Sequence, residues 1–492
     1  MKPVSPFTYE NKLTFHTPIK FSSQMEKRQS KLVNALRSHD TVTENGAITH
    51  STSLNAVVDM FFLAGASRNM SEKDIIRVFT AALIEDTRLA CKCLFWSRDI
   101  RGGAGERKFF KICMNLLKSD YPKVWAQLFQ FIPVYGYWKD LLSEETSKAL
   151  VEFVASKLPD DGLLCKWMPR KGNWFNALRV YMKLTPKELR KMLVNGSKTV
   201  EQSMCANDWA GINYSHVPSI AFHNYKTAFF RHDSERFNMF LGAAVKGDVK
   251  VNAVAIFPYQ LYQAYERGDD HNAIIAQWNN LKDYLSGTVN EFIPVCDVSG
   301  SMWMYGSRQP YEISISLGVY LSERNKGIFK DAFLTFNTKP EMHYLKGNVV
   351  ERFAQLRKAS FGLSTNLQAT FDLILSAALK NKMAAAEMPK TLLIISDMEF
   401  NAADSGRTNL EAIRAQYEHA GYRMPKIAFW NVKGKVGNVP AQVKDKGVAL
   451  ISGASPAIVE SVLRGKDFSP RGIMLEAIDS ERYEAIEVST RH

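Results

Sequence analysis

Three short stretches of this 492-residue chain carry oxygen donors in a pattern suited to holding a metal ion. Asp297-Val298-Ser299-Gly300-Ser301-Met302 sets one carboxylate and two hydroxyls close together. Gly362-Leu363-Ser364-Thr365-Asn366 adds further hydroxyls, and Ile395-Ser396-Asp397-Met398-Glu399 brings a second acidic loop. Every donor is a hard oxygen, and no His or Cys joins them, which suits Mg²⁺ or Mn²⁺ and is foreign to a zinc site. Two charged ligands, Asp297 and Asp397, would roughly neutralise a dication and leave it electrophilic toward one more ligand, a water or a partner's carboxylate. Gly300 lets its loop turn tightly, so that the serines on either side can face one point. Glu399 reads equally as a group behind the ligands or as an exposed loop carboxylate.

A second kind of chemistry lies earlier in the chain. Lys166, Arg170, Lys171, Arg179 and Lys183 alternate with Trp167, Trp174, Phe175 and Tyr181. Cations for a phosphate backbone and aromatic faces for unpaired bases are what single-strand RNA binding requires. Each aromatic taken singly fits a core position as well. Arg98, Arg101, Arg107, Lys108 and Lys111 crowd the turn Gly102-Gly103-Ala104-Gly105. That turn lacks the Gly-Lys-Ser/Thr ending of a phosphate loop and reads as a tight interhelical connection, with RNA contact by its cations a fair expectation. In Arg231-His232-Asp233 a structural, hydrogen-bonded histidine is expected, because no nucleophile can be assigned to it. With no nucleophile elbow, paired catalytic carboxylates or nucleotide fingerprint, a binding protein is expected and not an enzyme.

Placing these residues requires two kinds of architecture. From about Ser51 to Leu285 the chain reads as short helices. Ser71 followed by Asp74, and Thr185-Pro186-Lys187-Glu188, have the composition of helix starts. Turn signals break the helices at 101–105, 132–136, 171–173 and 247–248. An irregular helical array is expected, although no sequence period is visible. After Asn290 the pattern becomes apolar runs alternating with helices. Strands are expected at Phe292–Val298, Lys330–Phe336, Glu341–Leu345, Thr391–Ser396, Lys426–Val432 and Val448–Ser452. Helices are expected at Tyr311–Glu323, Val349–Lys358, Leu367–Leu379, Leu410–His419 and Ala457–Leu463. Such alternation specifies a doubly wound, largely parallel sheet, whose ligands bind at the carboxyl ends of the strands. The expected organisation is an extension over 1–50, a basic helical domain over 51–290, an α/β domain with the metal site over 291–466, and a tail over 467–492. That tail is read as an extra helix and strand packing back on the helical domain.

The charge is uneven in a way that fits this division. Lys and Arg exceed Asp and Glu by 13 overall. Residues 1–290 hold 38 basic against 28 acidic residues, and the remainder 25 against 22. The densest stretch, Lys157–Lys198, has ten basic and three acidic residues. Such a face attracts polyanions, nucleic acid first among them. No signal peptide or membrane-length apolar run is visible, and the six scattered cysteines have no metal-site spacing. Reduced thiols and a cytoplasmic location (the host's cytoplasm for a viral protein) are expected, with no membrane partner.

Asp-x-Ser-Gly-Ser after a buried strand resembles the metal-ion-dependent adhesion site of von Willebrand A domains. That resemblance implies a threonine from a second loop and an aspartate from a third, matched here by Thr365 and Asp397. A basic helical domain followed by an A-type domain is also the layout of the Ro ribonucleoprotein (TROVE) family. The chain is most similar to a Ro-like branch found in plants, fungi, bacteria and viruses. The likeness rests on Arg98–Arg107, Val217-Pro218-Ser219, Arg231-His232-Asp233, Ser396–Phe400, Phe429-Trp430-Asn431 and Gly447–Leu450. It implies HEAT-like helical repeats closed into a ring, binding single-stranded RNA ends in the hole and structured non-coding RNA on the rim. A rival reading from the same residues is a metal-dependent protein-interaction module that grips a partner's carboxylate.

Overall fold

The computed structural model describes residues 40–489 apart from 287–290, 304–307, 337–338, 357–364 and 404–407. Gly362, Leu363 and Ser364, most of the N-terminal extension and the last three residues of the tail therefore lie outside the described residues. From Thr41 onward the chain is one compact unit.

Helices occupy the first half, and their starts follow the local chemistry. The Ser71 side chain accepts from the Asp74 N–H at the head of Glu72–Glu85. Thr185 and Glu188 form a reciprocal capping box with Pro186 at the first turn of Pro186–Ser197, satisfying N–H groups that the helix itself cannot. Residues 212–276 add a small aromatic cluster built on Tyr214, Phe222, Phe229 and Phe237, distinct from the main core.

The second half is a six-stranded mixed sheet with helices between its strands. Its strands are β3 (Phe292–Asp297), β4 (Ala332–Phe336), β5 (Glu341–Tyr344), β6 (Thr391–Ser396), β7 (Lys426–Asn431) and β8 (Val448–Ser452), after a small hairpin of β1 (Thr41–Val42) and β2 (Ile48–Thr49). The order is β5-β4-β3-β6-β7-β8, with only the β4–β5 pair antiparallel. β3 and β6 are fully buried apolar runs, as strands covered on both faces must be. From β3 the chain runs outward on one side to β5, then returns to lay β6, β7 and β8 on the other. The crevice between the carboxyl ends of β3 and β6 is thus the point where strand order reverses, the usual ligand position in such sheets.

The two halves share their interior, because one hydrophobic cluster runs from Ala47 to Ile486. Helices Pro258–Glu266 and His271–Asn279 end the first half and pack on Gln309–Arg324 and Val349–Leu356 of the second. There the Phe353 ring lies 4.9 Å from that of Tyr262 and 5.4 Å from that of Trp278, edge-on contacts that add to area burial. Helix Ala56–Ala64 covers the carboxyl ends of β7 and β8. The Ser452 hydroxyl donates to the Phe61 carbonyl (2.6 Å) and the Asn431 amide to that of Phe62 (3.1 Å). A Cβ at Gly65 would stand 2.7 Å from the Ser452 carbonyl oxygen, so glycine is required for that approach.

The tail lies against the helices. Helix Pro470–Ile478 contacts β8 and helices Ala56–Ala64 and Thr87–Arg98, and Arg482 and Tyr483 both donate to Asp99. The expected tail strand is absent among the described residues, where a single 3-10 turn at Glu481–Tyr483 follows the helix.

Candidate metal centre

Asp297 ends β3, and Asp397 directly follows β6, so the sheet itself places both carboxylates at the crevice. Both are buried, at 0 and 1 % exposure. The Ser299 N–H donates to Asp297 Oδ1 (2.9 Å), and Ser396 Oγ donates to its Oδ2 (2.6 Å). The Ser299 and Ser301 hydroxyls are 3.1 Å apart. The Glu399 N–H donates to Asp397 Oδ1 at 3.2 Å. Both carboxyls are pushed up from the usual range, chiefly by burial, and for Asp297 next by the Asp397 charge. Two buried carboxylates facing each other are unfavourable unless something positive joins them.

Thr365 reaches the same edge by another route. Its N–H donates to the Asn401 side-chain oxygen at 3.2 Å, and its carbonyl accepts the Asn401 N–H at 2.8 Å across the two loops. Its hydroxyl is buried with no hydrogen-bond partner among the described residues. An orphaned buried hydroxyl costs free energy, and a cation among these oxygens would supply the missing partner. The loop after β6 holds a second sign of constraint. Met398 is buried and adopts φ +66, a left-handed conformation that costs a non-glycine residue about 1–2 kcal/mol. It is held there by Ser396 Oγ, which accepts the Met398 N–H at 3.0 Å. Strain of this kind collects where a loop must present particular groups.

The structure thus brings Asp297, Ser299, Ser301 and Asp397 together and bonds Thr365 to Asn401, which follows Asp397 on the same loop. The donor set fits a hard dication: two carboxylates and three hydroxyls. Among the described residues there is no group of three or more His, Cys, Asp or Glu suited to a metal, so any site here depends on the hydroxyls.

Of three neighbours of this site, Glu399 alone is singled out by the sequence. Lys433, on the loop after β7, donates to the Ser301 carbonyl at 3.1 Å and lies 3.5 Å from Asp397 Oδ2. Glu399, open to two readings in the sequence, is buried behind the loop. It accepts from the Glu44 N–H (2.7 Å) and the Asn438 amide (3.2 Å), with Lys435 at 2.9 Å. The segment after β1 straps the loop from outside: the Thr43 hydroxyl donates to the Phe400 carbonyl and the Asn45 amide to that of Glu399, each at 2.6 Å.

The nine cations expected to meet RNA divide into two groups. Arg98 is walled in at 1 % exposure, stacked over Tyr137 and paired with Asp140 at 2.8 Å, and cannot reach a phosphate. Lys108 is exposed but donates to the Arg68 and Met70 carbonyls, Lys166 to Glu201 at 2.7 Å, and Arg170 to the Cys165 and Met168 carbonyls. Arg101, Arg107, Lys171 and Lys183 are exposed and Arg179 half-buried, and Arg107 lies over the Tyr137 ring at 5.0 Å. Lys171, Arg179 and Lys183 sit in or beside helix Asn173–Tyr181, and Arg190 of the next helix stacks on Phe175 at 5.1 Å. Trp174 and Phe175 are core, Trp167 carries Lys139 over its ring at 3.9 Å, and Tyr181 is exposed. A broad groove nearby, bounded by Lys157, Lys166 and Lys198 but equally by Asp160, Asp161 and Glu201, is no track for a polyanion.

The glycine-rich turn is filled from within. Asp99 Oδ1 accepts the Arg101 N–H at 2.9 Å, and Glu106 Oε1 accepts those of Arg107 and Lys108 at 3.0 Å each. In Arg231-His232-Asp233 the histidine is exposed and stacks on Trp209 at 4.4 Å. Asp233 makes the structural bonds instead, accepting from Tyr214 and Arg236. Five of the six cysteines are buried and reduced, and Cys205 is exposed.

Comparison with known proteins places this geometry. Residues 43–157 and 146–288 match the domain of unknown function DUF2828, and residues 291–489 match DUF7788. An uncharacterised protein of Acanthamoeba polyphaga mimivirus is 30 % identical over 89 % of this chain and 87 % of its own length. The chain belongs to the DUF2828 family. The whole candidate metal constellation of this DUF2828 protein falls in its DUF7788 region, and all nine of the expected RNA-contacting cations fall in the DUF2828 region. Among the described residues no helix is long and apolar enough to cross a membrane.

Proposed function

We propose that this DUF2828 protein is a binding protein of the Ro ribonucleoprotein type, not an enzyme. Its α/β half is a von Willebrand A-type domain holding Mg²⁺ or Mn²⁺, and its basic helical half holds single-stranded or structured non-coding RNA. The observation that carries the reading is the pair of buried carboxylates, Asp297 and Asp397, at adjacent strand ends where strand order switches. Asp297, Ser299, Ser301, Thr365 and Asp397 would hold the cation, which when bound offers an open, electrophilic position to an oxygen ligand. The five cations that pair with no carboxylate among the described residues, Arg101, Arg107, Lys171, Arg179 and Lys183, support the RNA assignment, because such cations can release counterions from a phosphate backbone. Closure of the helices into a HEAT-like ring and a cytoplasmic location belong to the same reading.

Fluorescence anisotropy with a labelled mixed-sequence single-stranded RNA across a salt series tests it. Each phosphate neutralised contributes about 0.7 to the log–log slope. Replacing Lys171, Arg179 and Lys183 with alanine should weaken binding and flatten the slope by about two units, while Asp297→Ala leaves both nearly unchanged. Wild-type protein with no salt-sensitive binding at micromolar concentration refutes the RNA assignment.

The internal commitment of Lys166, Arg170 and Arg98 favours a second reading, a metal-dependent protein-interaction module in which the helices are scaffold. Metal-dependent capture of a carboxylate-bearing partner, with no response to RNA, would decide for it.

A further inference from the structure

A cation is already present at the metal cluster. Lys433 extends from the loop after β7 and divides its ammonium between the Ser301 carbonyl, at 3.1 Å, and Asp397 Oδ2, at 3.5 Å. Ser301 and Asp397 are both members of the oxygen set. Nothing about the loop is loose at this point. The Asn431 side chain accepts the Lys433 N–H at 3.0 Å. The next residue, Gly434, donates to the Ala66 carbonyl of the helical half at 2.9 Å. A Cβ at Gly434 would stand 3.0 Å from that oxygen, so the close approach suits glycine. The side chain of Lys433 is 27 % exposed and that of Asp397 fully buried, so the ammonium spans from solvent to the buried carboxylate.

We propose that Lys433 is an intramolecular competitor of the divalent metal, occupying the Asp397 side of the site in the metal-free protein and leaving it when the dication enters. This rests on the metal-site reading above. The physical argument is one of sign. Two buried carboxylates need positive charge, and a tethered ammonium supplies one unit of it without loss of translational freedom. A dication brought to the same oxygens meets both the repulsion of that ammonium and the loss of its ion pair. Both effects weaken metal binding, and neither depends on where the remaining ligands lie. Lys433 therefore sets how much divalent cation is needed to fill the site. Because Gly434 is bonded to Ala66, its release moves a loop anchored on the helical half.

Calorimetric titration of the full chain with Mn²⁺ tests the proposal, with Lys433→Gln and Lys433→Met as two neutral variants, so that misfolding of one leaves the other. Lys433→Arg keeps the charge. Lys435→Gln removes an equal charge two residues away, where the ammonium serves Glu44 and Glu399 instead. The neutral Lys433 variants are expected to bind Mn²⁺ about tenfold more tightly than wild type. Lys433→Arg and Lys435→Gln should remain within about threefold of it. Neutral variants binding no more tightly than wild type, while wild type binds and Asp297→Asn does not, overturn the proposal and leave the metal site standing. A Lys435→Gln gain equal to that of Lys433→Gln overturns it too, since general surface charge would then be the cause. Absence of Mn²⁺ binding in every variant removes the metal site and this proposal together.

Discussion

Replacing Asp297 by asparagine should stabilise the protein without metal and destabilise it with metal. The carboxylate is fully buried beside Asp397, and both burial and that neighbour push its proton affinity up. A carboxyl that holds its proton more tightly when folded makes the folded state bind more protons than the unfolded one. Stability in the absence of metal then falls as pH rises from the ordinary carboxylate range, near 4, through the raised folded value. Above that window the burden of the buried charge is full. Asparagine removes the charge but must fit an amide where Ser396 Oγ now donates at 2.6 Å, a mismatch of about 1 kcal/mol. Relief of an uncompensated buried charge is worth roughly 2–4 kcal/mol, so a net gain of about 1–3 kcal/mol is expected in EDTA at pH 8. Unfolding entropy of roughly 2 cal/mol/K per residue makes that about 1–3 °C in Tm for a chain of this length. At a thousandfold excess of Mg²⁺ over its Kd the wild type gains about 4.1 kcal/mol, and the variant gains nothing. Differential scanning fluorimetry at pH 5.5 and 8, with EDTA and with Mg²⁺, should show the two proteins exchanging rank. A variant that Mg²⁺ stabilises as much as wild type, or one less stable than wild type in EDTA at pH 8, refutes the reasoning.

Asp479 should anchor the tail in a pH-dependent way. Its hydrogen bonds with Arg88 and its pairing with buried Lys92 at 2.6 Å lower its pKa to about 2. The stabilisation is therefore complete above the ordinary carboxylate range and lost as pH falls from about 4 toward 2. Asp479→Asn should cost about 1 kcal/mol at pH 7, discounted for its exposure, and progressively less as pH falls toward and below 2, by urea denaturation. Glu399→Gln should weaken Mg²⁺ binding roughly threefold to tenfold in calorimetry, because it loosens the strap while leaving every expected ligand in place; unchanged affinity would separate the strap from the site. The fragment Glu291–His492 alone should be insoluble or lack fixed near-ultraviolet circular dichroism, since Tyr262, Trp278 and helix Ala56–Ala64 leave with the other half. A cooperatively folding fragment would contradict the shared core.

The parts legible in the sequence were those governed by neighbours along the chain. Every sheet strand but the edge strand β5 is a largely apolar run, and Thr185-Pro186-Lys187-Glu188 caps its helix through groups three residues apart. The Asp297 loop is legible because one strand end delivers its carboxylate and hydroxyls together. The commitment of the cations was not legible. Lys166 meets Glu201 across 35 residues and Arg98 meets Asp140 across 42, and spacing along a helix carries no trace of such pairs. The strap was hidden for the same reason: Thr43 and Asn45 act on a loop more than 350 residues away through a hairpin of two-residue strands. Lys433 stands in an ordinary polar turn, and only the parallel pairing of β6 with β7 brings it beside Asp397.

The carboxyl edge of the sheet is divided between two tasks, and the division follows strand order. β7 and β8 spend their ends on the helical half: Asn431 and Ser452 bond the carbonyls of Phe62 and Phe61, and Gly434 bonds that of Ala66. β3 and β6 keep theirs for the oxygen cluster. One loop serves both, because Asn431, Lys433 and Gly434 lie within four residues and touch helix, cluster and helix in turn. Asp397, Lys433 and the bond from Gly434 to Ala66 are thus successive contacts along one edge. Packed interiors pass on small shifts as discrete rearrangements and do not absorb them gradually. Helix Ala56–Ala64 is apolar nearly all round and buried along most of its length, so it cannot yield alone. The same helix packs on Glu72–Glu85 and Thr87–Arg98, and the second of these leads into the turn that exposes Arg101 and Arg107. The covalent path from β7 and the packed path through these helices thus join the metal edge to cations on the helical half without crossing solvent.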